Sequence, residues 1–144
     1  MTFSLRPATQ QDVPFLLQLR IDSMESHLHT AGIYLTTAQH ESRILHQFEH
    51  AYLVLLADTP IGLLKYESRQ DCVHIMQFQL VPACQGKGYG RTILSQVIAA
   101  AGKKPVTLKV LKQNPAKRLY LSMGFEQVGE DADEYHLRYT QVEQ

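Results

Sequence analysis

From Pro82 to Arg91 the sequence reads Pro-Ala-Cys-Gln-Gly-Lys-Gly-Tyr-Gly-Arg, a glycine-rich turn between an apolar run and an amphipathic one. A strand-to-helix turn of this kind can direct backbone N–H groups and a helix dipole at a pyrophosphate, and its glycines let the chain approach the anion closely. The residues at 85–91 are therefore candidates for phosphate binding, with a ligand-free glycine turn as the alternative. The spacing of Gly86, Gly88 and Gly90 is neither the dinucleotide Gly-x-Gly-x-x-Gly nor a P-loop ending in Lys-Ser/Thr. A second concentration of chemistry is histidine: five of seven fall at positions 27, 29, 40, 46 and 50. No Cys or HExxH pattern joins them, so they read as polar faces of two amphipathic helices, and no metal site is expected. Cys72 and Cys84 lack close metal-ligand spacing and read as reduced thiols.

The elements that must position these residues follow from periodicity. A strand over 3–7 leads to a helix over about 11–29, with Thr9 as N-cap, Asp12 in its first turn, and Val13, Leu16, Leu17, Ile21, Met24 and Leu28 as its apolar stripe. Thr36 and Gln39 fit a capping box for a second helix that carries Ile44, Leu45 and Phe48 and ends near His50. Strand-like runs at 51–57, 61–67 and 72–81 are joined by short polar breaks, which predicts an antiparallel meander. After the glycine turn come a helix bearing Ile93, Leu94, Val97, Ile98 and Ala101 and a strand at 106–111, which predicts a parallel crossover from 72–81. A short helix at 115–122 and strands near 125–129 and 134–140 complete a mixed α/β pattern.

The chain has 144 residues, 44% of them hydrophobic, and fourteen Lys plus Arg balance fourteen Asp plus Glu. This predicts a single domain over 1–144 and gives no net field for holding nucleic acid or an anionic membrane. The N-terminal MTFSLRPATQQD has no apolar core of a signal peptide, and no run reaches the roughly 18 residues of a spanning helix. A cytoplasmic location is expected.

Gln85, Gly88 and Gly90 match the Gln/Arg-x-x-Gly-x-Gly/Ala loop of the GNAT N-acetyltransferase superfamily, which the chain resembles. A second segment, Asn114-Pro115-Ala116-Lys117-Arg118-Leu119-Tyr120-Leu121-Ser122-Met123-Gly124-Phe125, is similar to the family's Asn…Ala-x-x-Leu-Tyr…Gly-Phe. The element order β-α-α-β-β-β-α-β-α-β-β also fits, so the resemblance covers nearly the whole chain and implies a central mixed sheet of about seven strands with about four helices. One departure concerns the Asn, which the family more often places three residues before the Ala. That position is Gln113 here, with Asn114 one residue closer, and either amide is a candidate for the cofactor.

The resemblance implies acetyl-CoA as cosubstrate, lying where the fourth and fifth strands splay apart. Gln85, Gly86, Lys87, Gly88, Tyr89, Gly90 and Arg91 would surround its pyrophosphate, and main-chain groups near Gln79 and Leu80 would pair with pantetheine as an added strand does. Tyr120 would serve the departing thiolate as a hydrogen-bond donor or acid. His74, eleven positions before Gln85, takes the place where the family often has a Glu or His, and would accept the amine proton directly or through water. Glu67, Gln77 and Gln79 are weaker candidates, and Glu25, His29 and Tyr34 would contribute to the acceptor wall. Cys84 has no neighbouring base in sequence, so transfer directly to a primary amine of a small molecule, peptide or protein is expected over an acetyl-cysteine. The alternative is a non-catalytic acyl-CoA-binding module; a homodimer is compatible with either.

Overall fold

A computed structural model describes residues 2–141. In chain order the elements are β1 (Phe3–Pro7), α1 (Val13–Thr30), α2 (Thr37–Leu45), β2 (Ala51–Leu56), β3 (Thr59–Ser68), β4 (Val73–Leu80), α3 (Tyr89–Ala100), β5 (Val106–Leu111), α4 (Lys117–Ser122), β6 (Glu126–Glu130) and β7 (Glu134–Tyr139). The strands form one sheet in the order β1-β2-β3-β4-β5-β7-β6, antiparallel throughout except for the parallel pair β4 and β5. The predicted element order, meander and parallel crossover are all present.

Alternation along the central strands fills two cores. Val54, Leu64, Val73 and Ile75 pack with Ile93, Leu94 and Val97 of α3 and with Tyr120 and Phe125. On the other face Leu53 and Leu63 pack with Leu16 and Leu19 of α1 and Ile44 of α2. Each fully buried aliphatic side chain contributes about 1.5–3 kcal/mol, so the two layers fix the helices against opposite faces of the sheet.

Thr9 caps a 3-10 turn, Gln10–Asp12, and not α1 itself, which follows from Val13 with Asp12 as its N-cap. The Asp12 carboxylate accepts from the Thr9 N–H at 2.8 Å and from Arg6, and Thr36 and Gln39 form the expected capping box. The second helix stops at Leu45 and not near His50, because Gln47 turns left-handed at φ 51° and a separate 3-10 turn, Phe48–His50, follows. Leu45 is consequently exposed and Phe48 leaves the helix. The α1 stripe also differs: Leu19 and Arg20 are buried with Leu16 and Leu28, whereas Val13, Leu17, Ile21 and Met24 are only half-buried. No helix among the described residues is long and apolar enough to cross a membrane.

Candidate active site

β4 and β5 pair only through Val73, His74 and Ile75 with Val106, Thr107 and Leu108. β4 then runs on to Leu80 and β5 to Leu111 without pairing with each other, so the sheet opens between them. Opposite this opening β4 carries a bulge: Ile75 pairs with Tyr66 and Gln77 with Lys65, leaving Met76 as the extra residue. Val73, Ile75, Phe78 and Leu80 therefore share the face toward α3, and His74, Gln77 and Gln79 share the other. The opening is a cleft of about 630 Å³ whose walls include His74, Gln77, Gln79, Asn114 and Tyr120.

At the end of β4 the chain turns through Pro82–Cys84 into α3. The N–H groups of Gly86, Lys87, Gly88, Tyr89, Gly90 and Arg91 have no acceptor among the described residues. Gly86 and Gly88 sit at φ 73° and 82°, and no atom lies within 4 Å of where a Cβ would stand, so the loop presents bare backbone. Gly90 serves packing, since a Cβ there would meet Leu119 at 3.3 Å. Side chains of the loop are partly committed. Gln85 Nε2 donates to the Leu80 carbonyl at 2.9 Å, Arg91 donates to Ser122 Oγ at 2.6 Å, and the Tyr89 ring packs edge-on against Phe3. The Leu80 carbonyl also accepts from Ser23 Oγ at 3.4 Å, so it braces the loop and α1. Lys87 is exposed.

Tyr120 is carried into the cleft by α4, its ring edge-on to Phe125. Burial pushes its phenol up to about 12, so it is a permanent hydrogen-bond donor near neutral pH. His74 Nδ1 lies 2.7 Å from Thr107 Oγ1, and that hydroxyl donates to Cys72 Sγ at 3.9 Å. In the tautomer whose Nδ1–H donates to the threonine oxygen, the Nε2 lone pair is available as a base. Burial, followed by Arg69 and Lys109, lowers the His74 pKa, which favours this neutral form. Glu67, its neighbour in β3, is already engaged by Arg69 at 2.7 Å and His50 at 3.2 Å, and the Arg69 hydrogen bond leads in holding its pKa down. Asn114 Oδ1 accepts from the Ala116 N–H at 2.9 Å, and the residue lines the cleft; Gln113 is exposed outside it.

The helical wall contains residues that sequence patterning did not single out. Lys65, 3% exposed, donates from Nζ to the carbonyls of Arg43, Ile44 and His46 at 3.1, 2.9 and 2.7 Å, closing the end of α2. Burial, then the charge of Arg20, brings its pKa down to about 8. Arg20 Nε donates to Nδ1 of His40 at 3.2 Å. His40 is 1% exposed, contrary to the expected solvated face, because it closes over Arg20 beneath α2. Glu25, His29 and Tyr34 form a cluster of their own: Glu25 and His29 pair at 3.8 Å, and the His29 ring stacks on the exposed Tyr34. None of the three expected acceptor-wall residues is among those lining the cleft, which include Arg20, Met24, Ile33 and Arg43. Cys84 is half-buried against the α3 core. Among the described residues no group of His, Cys, Asp or Glu is placed to hold a metal ion.

The fold has counterparts among solved structures. The fold is similar to the PaiA N-acetyltransferase of Thermoplasma acidophilum in complex with coenzyme A, at TM-score 0.76 and 18% identity over 98% of this chain and 100% of that one. An acetyltransferase of Thermus thermophilus gives TM-score 0.79 and 22% identity, with 98% of each chain covered. The N-acetylglutamate synthase of Neisseria gonorrhoeae, in complex with coenzyme A and N-acetylglutamate, gives TM-score 0.69 and 16% identity over 99% of this chain and 36% of that one. Among curated proteins no sequence matches. The model of the acetyltransferase (GNAT) domain matches residues 18–143, and with the sheet parting at Ile75 and Leu108 it establishes that the chain belongs to the GNAT acetyltransferase family.

Proposed function

We propose that the protein moves an acetyl group from acetyl-CoA to a primary amine by direct transfer while both substrates are bound. The observation that carries this reading is the parting of β4 from β5, with unpaired loop N–H groups at one end and His74 and Tyr120 on its walls. The loop suits a pyrophosphate, since each of its hydrogen bonds to a charged group would contribute about 1.5–3 kcal/mol. Asn114 and the open edge of β4 before Leu80 are suited to the pantetheine amides.

Acetyl-CoA supplies an activated acyl thioester. This chain's residues must handle the protons. A lysine-like ammonium is only about one part in 2,500 neutral at pH 7, so the free Nε2 of His74 takes a proton from the amine, directly or through water. Tyr120 donates a hydrogen bond to the sulfur as the C–S bond breaks.

The test combines calorimetry of CoA binding with CoA release from acetyl-CoA over a panel of primary amines. Wild type should bind CoA and acetylate at least one amine. Gly88→Val forces a β-branched residue to positive φ, so its CoA affinity should fall at least about tenfold with unchanged circular dichroism. Unaltered affinity in that folded variant removes the loop from the cofactor site. Tight CoA binding by wild type without transfer to any amine would favour a binding module.

A further inference from the structure

Arg20 is 7% exposed, lines the cleft, and has no carboxylate within 4 Å among the described residues. A guanidinium has five N–H donors, and here the described contacts engage only Nε, with a histidine whose acceptor nitrogen carries no charge. A cation largely withdrawn from water without a counter-charge is costly. The nearest charges increase the imbalance. Arg43 is close enough to push the Arg20 pKa down, to about 10 after burial has acted, and Lys65 feels Arg20 in turn.

The second observation is independent of charge. Among the described residues, the buried side-chain polar atoms without a hydrogen-bond partner are His40 Nε2, Gln77 Nε2 and Gln79 Oε1. Gln77 and Gln79 line this cleft on the face turned away from α3, and His40 is the partner of Arg20. Gln79 is 9% exposed, so its unpartnered oxygen is held in place without solvent to satisfy it. Buried polar atoms are paired in folded proteins with few exceptions; two of these line the cleft that Arg20 lines, and the third belongs to its partner His40.

We infer that the acetyl acceptor is an amine that also carries a carboxylate, and that Arg20, with Arg43 beside it, receives that carboxylate. The inference rests on the acyl-transfer reading above and names its substrate class. A carboxylate matches the planar guanidinium in a paired hydrogen bond and neutralises the buried charge. The Gln77 amide offers a further N–H, and the Gln79 oxygen can accept from the substrate's amine end. The carboxylates lining the cleft, Asp133 and Glu134, come from the β5 and β7 side, whereas Arg20 and Arg43 line it from the α1–α2 side, where Glu25 acts on His40 without lining the cleft.

The experiment compares the standard amino acids with their own carboxamides as acceptors, reading CoA release from acetyl-CoA. Wild type should prefer the acid of a reactive pair by at least about tenfold in kcat/KM. Arg20→Gln should raise KM for that acid about tenfold to a hundredfold, from the loss of hydrogen bonds to a charged group. The rise should be clearly smaller for the carboxamide than for the acid, and Arg20→Lys should restore part of the preference. If Arg20→Gln does not fold, Arg43→Gln at its exposed site should still raise KM for the acid severalfold, and the wild-type comparison needs no variant. Equal or better use of carboxamides overturns the inference and points to a peptide N-terminus as acceptor. If neither set reacts, the same amino acids are titrated into the CoA complex, and absence of binding overturns it too. These failures leave acetyl transfer to other amines intact, whereas a wild type that does not bind CoA removes the acyl-transfer reading itself.

Discussion

His74 and Thr107 face each other across the parallel ladder one residue before it ends, and their side chains meet at 2.7 Å. The contact holds the imidazole where the strands part. Thr107→Val keeps the shape and removes the acceptor, so kcat should fall about tenfold through loss of ring orientation. His74→Gln should cost about 10²–10⁴-fold and abolish the acidic limb of the rate against pH. That limb should lie below 6.5, because burial and the charges of Arg69 and Lys109 disfavour protonation. An acceptor with a low amine pKa should partly rescue His74→Gln. A profile unchanged in both variants returns His74 to a strand-pairing role.

Tyr120 tests a different proton. With its pKa near 12, full transfer to a thiolate whose acid titrates near 8.5 is uphill by about three powers of ten, so the phenol acts chiefly by donating a hydrogen bond. Tyr120→Phe should lower kcat about 10²-fold and leave CoA affinity within a few-fold. Wild-type activity should show no alkaline loss from this residue below about pH 11. Wild-type turnover in the phenylalanine variant would make Tyr120 a packing residue.

What could be read from the sequence was what local residues dictate. The glycine loop, the Thr36 capping box and the Asn114–Phe125 segment lie in short stretches whose geometry depends on their own residues, and they stand where expected. Arg20, His40 and Lys65 could not be found that way. Lys65 sits among apolar strand residues and is buried only because the carbonyls of α2, about twenty positions earlier, converge on it. Arg20 breaks the apolar period of α1, and its partner is twenty residues away. The bulge at Met76 has no glycine to announce it, yet it places Gln77 and Gln79 on the face of His74. A charged residue within a helical or strand pattern was the available signal, and its meaning depended on the tertiary partner.

Lys65 ties the sheet to the acceptor wall. Lys65→Met fills similar volume and leaves the carbonyls of Arg43, Ile44 and His46 without their donor, so stability should fall by about 2–4 kcal/mol despite removal of a buried charge. Chemical denaturation measures the loss. Because Arg43 and His46 line the cleft, acceptor KM should rise more than CoA affinity falls. A variant as stable as wild type would mean that the end of α2 finds other partners.

His40 should make the fold sensitive to mild acid. It accepts from Arg20 Nε through Nδ1, so its bonded form is neutral, and burial followed by Arg20 lowers its pKa below 6.5. In the unfolded chain it titrates near 6.5, so as pH falls below that value the unfolded state takes up a proton that the folded state excludes. Stability is thus full above about pH 7 and declines toward pH 5, by about 1.4 kcal/mol per pH unit at most for each such group. His74 is shifted the same way and adds to the slope. Asp12, Glu67, Glu130 and Asp131 all have lowered pKa values, so their stabilising charge is lost only at more acidic pH. Glu134, raised chiefly by burial, opposes the trend near pH 5. His40→Gln keeps an acceptor for Arg20 and removes the titration, so the slope of unfolding free energy between pH 7 and 5.5 should fall by about half. An unchanged slope would show that His40 takes up its proton in the folded state, and the Arg20 contact would then have to break as it does so.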